Sequence, residues 1–329
     1  MDALSKMNFS FHKDCSSSEI NNVEQCILKW KSSDSFFEFE TSGSTGKPKL
    51  INFSRDQILS SIKSTAEKFD FFKGMRSALA LNTKSIGGAL MVFRAIEWEM
   101  DFQILPVRRK IEWQGNLDFL ALVPQQAMRI APDNYRNIKT LLIGGSPIRE
   151  SQENYLSNVS SQIFHGFGMT ETITHFAIRE INPKKQVNYH CLKGVEIKSC
   201  DGAMVVSIKD RGIFELKTTD RIELSRNRKS FYWLGRLDGA IISAGKKIHP
   251  EQIEDHISRV YPNYPEGFVG VKPDENWDEA MVWFSVSLNE VELEKMNTAF
   301  NTLPSWKRPK RIIQLRHLPL TKSGKYKRR

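Results

Sequence analysis

The amino-acid sequence predicts an α/β fold: a large N-terminal domain with a mainly parallel sheet and a β-rich subdomain, followed by a small mobile α+β domain. Over the first two-thirds of the chain, short apolar strands alternate with longer helical patterns, which is typical of a parallel sheet covered by helices. From Val187 to Leu234 the pattern changes to short β-like runs separated by Gly and Asp turns, and after Gly235–Arg236 strands and helices mix again. We therefore predict domains at residues 1–236, with the subdomain at about 187–234, and at residues 237–329.

The elements of the N-terminal domain are predicted from apolar periodicity and from capping residues. The predicted strands are Phe36–Glu40, Ala78–Leu81, Phe102–Leu105, Phe119–Val123, Thr140–Ile143 and Gln162–His165. The predicted helices are Ser54–Phe69, Gly88–Glu99 and Ile148–Leu156. Ser54 with Gln57 three residues later forms the pattern of a capping box, which marks where the first of these helices begins.

The elements of the β-rich subdomain and of the C-terminal domain follow in the same way. The subdomain strands are predicted at Met204–Ile208, Ile213–Leu216, Arg221–Leu224 and Ser230–Leu234. Further strands are predicted around Ile241 and Ile248, at Gly267–Val271, over the run Ala280–Val286 and at Arg311–Leu315, with a helix at Glu290–Phe300. Pro250 opens another helix, because proline is well suited to a first helical turn. The last residues, Pro319–Arg329, are predicted to form a mobile loop.

Composition and cysteine usage describe an ordinary globular protein. The chain has 329 residues, of which 40% are hydrophobic and 26% charged, so it is long enough for a large domain and a smaller one. The N-terminal sequence has no apolar core like that of a signal peptide, and no stretch is apolar enough to span a bilayer. The four cysteines form no CxxC pair and no ligand-like cluster with histidine. We expect free thiols, no zinc and a cytoplasmic location.

The net charge of +10 comes from one end of the chain. From Asn301 onward there are ten Lys or Arg and no acidic residue. A basic tail is often a nucleic-acid contact, but only Trp306 and Tyr326 are available here to stack on bases. Polyanionic small molecules such as ATP or coenzyme A match the charge equally well, and charge alone leaves both partners open.

The segment Thr41–Lys49, TSGSTGKPK, is the most informative motif of the chain. Glycines allow the backbone to come close to a ligand, hydroxyls donate to phosphate oxygens, and lysines offset phosphate charge. The P-loop pattern is excluded, because Thr41 stands where that motif needs glycine and Pro48 where it needs Ser or Thr. The alternatives at this point are a different phosphate cradle and an ordinary polar surface turn.

Four further motifs carry candidate chemistry, each with a structural alternative. In HGFGMTETITHFAIR, Thr170 and Glu171 stand where a helix is predicted to begin. Phe167 is placed to stack on a purine, Thr170 to bond phosphate and Glu171 to hold magnesium; the alternatives are a core aromatic for Phe167 and a helix cap for Thr170. In LKTTD, Asp220 at the end of a predicted strand is suited to accept ribose hydroxyls, although turn aspartates are common. The other two are GRLDGAIISAGKKIHPEQIE and PLTKSGKYKR. The latter places Lys325 on a flexible segment, where the alternative is a solvated basic tail.

The five motifs, in this order, resemble those of the acyl-CoA synthetase and adenylate-forming (AMP-binding) superfamily. The resemblance extends from about Phe36 to Arg328. It implies a reaction of two steps, in which a carboxylate attacks the α-phosphate of ATP to give an acyl-adenylate and pyrophosphate, and a thiol then takes the acyl group. ATP and Mg²⁺ are the implied cofactors, and coenzyme A is the implied second substrate.

The resemblance also implies roles for individual residues. The phosphate loop would hold ATP through Thr41, Ser42, Gly43, Ser44, Thr45, Gly46, Lys47 and Lys49. The rest of the nucleotide site would be Gly144, Gly145, Ser146, Phe167, Gly168, Asp220 and Arg236. Lys325, Glu171 and Thr170 would be catalytic: Glu171 would bind the metal, and Lys325 would stabilise charge in the transition state. Asp238 would be the hinge about which the small domain rotates to bring Gly245 and Lys247 to coenzyme A.

Within the superfamily, the closest resemblance is to compact o-succinylbenzoate–CoA ligases of menaquinone biosynthesis. The short segment before Thr41 and the stretch Ile86–Ala95 suggest this group. The substrate would then have an aromatic ring and a second carboxylate, for which Arg94, His165 and His175 are the candidate contacts. The alternative for Arg94 and His175 is a purely structural place in the core.

Several positions depart from the family pattern. Phe167 replaces the usual Tyr, and Ser243–Ala244–Gly245 replaces Ser–Gly–Gly, which puts the thiol-transfer step in doubt. Two other functions stay open: loading of a carrier protein instead of coenzyme A, and nucleotide binding without catalysis. The joint presence of Lys325, Glu171 and Asp220 argues against the second, and no nucleic-acid partner is expected.

Overall fold

The structure is a computed structural model, and it describes residues 8–40, 49–148, 150–236, 241–243, 246–274, 278–320, 326 and 328. The helices are α1 Ser17–Lys31, α2 Arg55–Phe69, α3 Ile86–Glu97, α4 Pro124–Ala127, α5 Glu150–Leu156, α6 Pro250–Val260 and α7 Glu290–Asn301. The N-terminal strands are β1 Phe9–Phe11, β2 Phe36–Glu40, β3 Leu50–Ser54, β4 Arg76–Leu79, β5 Asp101–Ile104, β6 Leu117–Leu122, β7 Ile138–Ile143 and β8 Gln162–Met169. They are followed by β9 Thr174–Asn182, β10 Tyr189–Cys191, β11 Val195–Cys200, β12 Ala203–Ile208, β13 Ile213–Leu224 and β14 Ser230–Arg236. The last strands are β15 Ile241–Ser243, β16 Lys246–Ile248, β17 Gly267–Asp274, β18 Asp278–Ser285 and β19 Ile312–Gln314.

The main sheet of the described residues is mixed and has twelve strands, in the order β1-β5-β4-β6-β7-β8-β9-β10-β14-β13-β12-β11. Neighbouring strands from β1 to β8 are parallel. From β8 to β11 every pair is antiparallel. The predicted α/β fold is confirmed, with a mostly parallel N-terminal part and a β-rich subdomain.

Helices cover both faces of the parallel part. On one face α1, α2 and α3 pack over an apolar cluster in which Trp30 stacks on Phe93 with ring centroids 4.2 Å apart. On the other face Tyr135 and Leu156 are fully buried in a second cluster. Because the central strands β4, β6 and β7 bury consecutive residues and therefore both of their sides, this part of the sheet is enclosed as parallel sheets usually are.

The predicted strand Phe36–Glu40 has the right bounds but belongs to a different sheet. It pairs with Leu50–Ser54 in a separate two-stranded antiparallel ribbon. Its side chains alternate, with Phe37 and Phe39 buried and Glu38 exposed. A strand with one polar face cannot lie inside a sheet that is covered on both sides, so the ribbon forms apart from the main sheet.

Several N-terminal elements were not predicted, among them β1, β3, β9 and α1. The signal for α1 was present, because Ser16 and Glu19 make a capping box in which each side chain bonds the other residue's backbone amide. One predicted division was wrong: the runs Ile213–Leu216 and Arg221–Leu224 belong to the single strand β13. Its pairing with β14 is irregular between Arg221 and Ile222, where a bulge lets the strand continue through a change of register.

The predicted C-terminal elements are present. β15 and β16 form a hairpin, α6 begins at Pro250, and β17, β18 and β19 form a three-stranded sheet in the described part of the chain. Trp283 is fully buried in its core with Ile253 and Phe300. The loop prediction for Pro319–Arg329 falls mostly outside the described residues, although Tyr326 forms a bridge to Leu320.

Helix α6 packs against α5. Arg259 Nε lies 2.6 Å from Glu150 Oε2, and the amide of Ser151 donates to Ser258 Oγ at 3.2 Å. These polar contacts hold the two parts of the chain on either side of a large cavity. Among the described residues, every helix is too short or too polar to cross a bilayer.

Candidate active site

A cavity of about 1130 Å³ lies between the main sheet and the C-terminal elements. Its floor comes from the segments that follow the parallel strands β6 and β7, and from β8. Ligands in α/β folds bind outside the carboxyl ends of parallel strands, where connecting loops leave a crevice. Seven residues predicted for ligand binding line this cavity, and they are Gly145, Ser146, His165, Phe167, Gly168, Asp220 and Arg236.

The Gly144–Ser146 turn is fixed to the neighbouring strand by His165. Gly145 has a φ of +87°, a backbone state that favours glycine. His165 Nε2 lies 3.1 Å from the carbonyl oxygen of Ser146, which can only accept, so Nε2 carries the proton. Nδ1 then accepts from the hydroxyl of Tyr189 at 2.7 Å. Burial lowers the pKa of His165 to about 3, and the charge of Arg179 adds to the effect, so the ring is neutral.

A buried ion pair supports this hydrogen-bonded chain. Arg179 makes two bonds of 2.8 Å to the carboxylate of Glu153 on α5. Its guanidinium also lies 5.3 Å from the ring centroid of Tyr189. Tyr189 and Glu153 were not predicted to belong to the site, and Arg179 was noted only as the last residue of HGFGMTETITHFAIR. Nothing local marks these residues, since they meet only through strand pairing and helix packing.

Phe167 lies at the cavity wall as part of an aromatic cluster. Its ring centroid is 5.1 Å from that of Phe231, 5.2 Å from Tyr189 and 5.7 Å from Phe176. The ring is partly buried and also lines the cavity. Phe167 therefore combines core packing with a face that is positioned to meet a ligand.

Asp220 and Arg236 stand directly opposite each other on β13 and β14. Asp220 is 6% exposed, and its Oδ1 accepts from Trp233 Nε1 at 2.8 Å. Arg236 Nη2 donates to Thr219 Oγ1 at 2.9 Å. The prediction that Asp220 ends a strand was wrong, because β13 continues past the bulge. The pairing nevertheless brings together two residues that are distant in sequence and that were predicted to bind the same ribose.

Thr170 and Glu171 lie in a single 3-10 turn, Thr170–Thr172, directly after β8. The helix predicted to begin here is absent: the described chain reverses and continues as β9. A helix cannot form because Ile173 and Thr174 both have positive φ, 54° and 71°, which ends the turn after three residues. Neither residue is among those that line the cavity; Glu171 is partly exposed and lies two residues after Met169, which does line it.

Arg94 and His175 both lie beside the Thr65 hydroxyl and are not among the residues that line the large cavity. Arg94 Nη2 donates to Thr65 Oγ1 at 2.9 Å, and the same oxygen lies 3.3 Å from His175 Nε2. Both residues are buried, with 2% and 8% exposed. Burial lowers the pKa of Arg94 to about 9, and the positive charge of Arg211 lowers it further. Burial, together with the positive charges of Arg94 and Arg211, holds the pKa of His175 well below its usual value.

The C-terminal wall of the cavity is rich in acidic side chains that were not predicted. Glu251, Glu254 and Asp255 on α6 line it together with Glu266. Burial raises the pKa of Asp255 to about 7, and the charge of Glu254 raises it further. Arg328 offsets part of this charge by pairing with Glu254 and Glu251.

Several predicted residues lie outside the described part of the chain. They are Thr41 to Pro48, Asp238, Gly245 and Lys325. Lys49 precedes β3, and Lys247 lies in β16. Tyr326 and Arg328 are described and line the cavity; the Tyr326 ring stacks on Phe268 with centroids 4.5 Å apart.

Proteins of known family resemble this chain in sequence and in fold. The sequence profile of the AMP-binding enzyme family matches residues 13–209. The 2-succinylbenzoate–CoA ligases of Lactococcus lactis and Listeria monocytogenes are each 25% identical to it, over 88% of this chain and 69% and 68% of their own. Nearly a third of the length of each relative lies outside the match. The match therefore gives no support to the expectation that rests on the short segment before Thr41.

Two solved structures show the same fold. The acyl-CoA synthetase (AMP-forming)/AMP-acid ligase II-like protein from Dyadobacter fermentans aligns with a TM-score of 0.61 and 24% identity, covering 96% of this chain and 94% of its own. The o-succinylbenzoate CoA synthetase from Bacillus subtilis, in complex with its acyl-adenylate intermediate, aligns with a TM-score of 0.73 and 21% identity, covering 88% and 67%. The chain belongs to the AMP-binding enzyme family, the adenylate-forming superfamily that includes the AMP-forming acid–CoA ligases.

Proposed function

We propose that this protein is an ATP-dependent acid–CoA ligase whose acid is an aromatic dicarboxylate, with o-succinylbenzoate of menaquinone biosynthesis as the best candidate. The carboxylate oxygen attacks the α-phosphorus of ATP, the bond to pyrophosphate breaks, and the thiol of coenzyme A then displaces AMP from the acyl carbon. The observation that carries the proposal is the Asp220–Arg236 pair, held beside Phe167 at the wall of one cavity. The four cysteines are free thiols, which supports a cytoplasmic location.

The nucleotide half of the site follows from donor and acceptor chemistry. The Asp220 carboxylate accepts hydrogen bonds from ribose hydroxyls, and the donation from Trp233 holds it in place. Charge-assisted bonds of this kind are stronger than neutral ones. Arg236 adds a cation beside the sugar, and the Phe167 ring offers an apolar face to adenine. The Gly144–Ser146 turn brings bare backbone to the same wall.

A magnesium ion fits the residues present as a metal bound mainly by its substrate. No cluster of three or more His, Cys, Asp or Glu side chains suited to a metal occurs among the described residues. Magnesium in nucleotide sites takes one or two carboxylates and completes its shell with phosphate oxygens and water. Glu171 supplies such a carboxylate. When bound, the metal would neutralise part of the phosphate charge. The rest would be neutralised by Lys325 and by the lysines of the Thr41–Lys49 segment.

The acid is inferred from the buried group around Arg94. Its described contacts are to neutral atoms, Thr65 Oγ1 and Met91 Sδ, and its Nε has no hydrogen-bond partner. A buried guanidinium without a carboxylate is unfavourable, and an anionic substrate would relieve it. Gly166 lines the cavity and lies next to this group: a Cβ there would be only 3.3 Å from His175 Cβ, so glycine lets the cavity wall pack closely against His175. The 2-succinylbenzoate specificity of the matched ligases supports the same acid.

The experiment is product analysis with a matched pair of acids. The purified protein is given ATP, Mg²⁺ and coenzyme A with o-succinylbenzoate, or with 4-oxo-4-phenylbutanoate, which lacks the ring carboxylate. We expect AMP and the CoA thioester, with kcat/KM for the diacid higher by about 10- to 100-fold, because one charged hydrogen-bonded contact contributes about 1.5–3 kcal/mol. Equal use of both acids would contradict the dicarboxylate assignment. AMP formation without a thioester would favour a carrier protein as acceptor.

A further inference from the structure

The turn that carries Glu171 is followed by a strained backbone. Ile173 and Thr174 are consecutive β-branched residues with φ of +54° and +71°. Such residues rarely adopt this conformation, which is unfavourable and persists only where the surroundings impose it. Ile173 is fully buried, so solvent does not satisfy its backbone groups. The protein must therefore hold this segment through specific contacts.

Arg211 provides most of those contacts. It is 1% exposed and comes from the turn between β12 and β13. Its Nη1 donates to the carbonyl oxygen of Thr172 at 2.7 Å and to that of His175 at 3.2 Å. Ser61 on α2 donates from its hydroxyl to the carbonyl of Ile173 at 2.5 Å. A guanidinium and a hydroxyl thus capture three carbonyls of the segment that follows Glu171.

Arg211 is itself held by the start of α2. Gln57 Nε2 donates to the carbonyl of Arg211 at 2.7 Å, and Gln57 Oε1 accepts from the amide of Ser54 at 2.8 Å. Ser54 is the last residue of β3, where it pairs with Phe36 of β2 in the two-stranded ribbon. One chain of hydrogen bonds therefore runs from the ribbon, through Gln57 and Arg211, to the turn of Glu171.

We propose that Arg211, assisted by Ser61, is a positioning residue for adenylation. It fixes the backbone of the Glu171 turn relative to α2 and the β2–β3 ribbon, so that the Glu171 carboxylate is held in one position for the metal. This role rests on the proposed function. A purely structural arginine would stabilise the fold without setting the metal requirement, and this difference makes the two roles separable.

The first test replaces the guanidinium. In Arg211→Met the side chain keeps its bulk and loses its donors, whereas Arg211→Lys keeps one charged donor. We expect Arg211→Met to raise the Mg²⁺ concentration for half-maximal ATP–pyrophosphate exchange by ~10-fold, the lower end of what loss of a ligand's supporting contact usually costs. Arg211→Lys should recover part of the loss. A folded Arg211→Met with an unchanged Mg²⁺ requirement would overturn the proposal.

The second test uses two matched serines and decides the case if Arg211→Met fails to fold. Ser61 and Ser161 are both buried, and each donates from its hydroxyl to a backbone carbonyl. The partner of Ser161 is the carbonyl oxygen of Tyr135, at 2.6 Å, which does not belong to the Glu171 turn. We expect Ser61→Ala to raise the Mg²⁺ requirement and Ser161→Ala to leave it unchanged. The same requirement in both variants would overturn the positioning role.

A binding measurement separates this proposal from the proposed function. Titration of Mn²⁺ with ATP, followed by electron paramagnetic resonance, needs no acid substrate. Weaker Mn²⁺–ATP binding in Arg211→Met and Ser61→Ala supports the positioning role. This holds even if none of the acids supports ATP–pyrophosphate exchange in the wild type, so that the ligase assignment fails. Wild-type binding in both variants would overturn the role while leaving the ligase assignment intact.

Discussion

The imidazole of His165 is neutral in the folded protein because it is buried between a hydroxyl and a carbonyl. Burial lowers its pKa to about 3 in the folded state, against about 6.5 in the unfolded chain. Between these values the unfolded state binds the proton and the folded state does not. The free energy of unfolding therefore falls as pH decreases through this range.

This difference predicts the pH dependence of stability. In the wild type, His165 takes up one proton on unfolding between pH 6 and pH 4, and His165→Gln should abolish this uptake. The slope of the unfolding free energy against pH in this range should then be smaller by about 1.4 kcal/mol per pH unit. Urea denaturation at a series of pH values measures it. The control is His190→Gln, since His190 is exposed. A variant as acid-sensitive as the wild type would show that His165 is already protonated when folded.

Single residues were predictable where a local motif carries them. Asp220, Arg236 and Phe167 were found from short motifs, and the structure brings them to one cavity. Tyr189 and Glu153 were not, because their contacts depend on which strands pair and how α5 packs. Arg211 was missed for the same reason: it acts on carbonyls that are distant in sequence.

At the scale of elements, helix starts were more predictable than strand partners. The capping box of Ser54 and Gln57 marks the N-terminus of α2 as predicted, since a cap is a local interaction. The sheet that contains β2 was predicted wrongly, because the sequence of one strand does not determine which strand it pairs with. The helix expected after Thr170 was also wrong, and two consecutive residues in left-handed conformation explain why.

The cap of α1 gives a prediction at this scale. Ser16 Oγ accepts from the amide of Glu19, and Glu19 bonds the amide of Ser16 in return. Ser16→Ala should lower the free energy of unfolding by about 0.5–2 kcal/mol, the usual effect of losing an N-cap. Urea denaturation measures the change, with Ser18→Ala on the same helix as the control. Equal stability of the two variants would show that this cap is not required.

At the scale of the whole molecule, the α/β class was predictable from the alternation of strands and helices. The sequence did not reveal that one cavity lies between the main sheet and the C-terminal elements, because this depends on contacts such as Glu150–Arg259. The cavity wall on α6 is acidic, so we infer that polyphosphate is bound from other elements. The predicted hinge at Asp238 stays a prediction.

The division of labour between the two steps is tested at Lys325. If this lysine stabilises charge only during adenylation, Lys325→Ala should abolish ATP–pyrophosphate exchange and spare thioester formation from supplied acyl-adenylate. The two half-reactions are measured separately, with Lys322→Ala as a control in the same segment. Parallel loss of both half-reactions would refute the split of roles.

Acid-dependent ATP–pyrophosphate exchange tests the central claim most directly, because only adenylation makes pyrophosphate release reversible. With a panel of aryl and alkyl acids that includes o-succinylbenzoate, we expect exchange in the wild type and in Asp210→Asn, whose carboxylate is exposed. Asp220→Asn should raise the KM for ATP by about tenfold, because it loses a charged acceptor for the ribose. Absence of exchange with every acid would contradict the account.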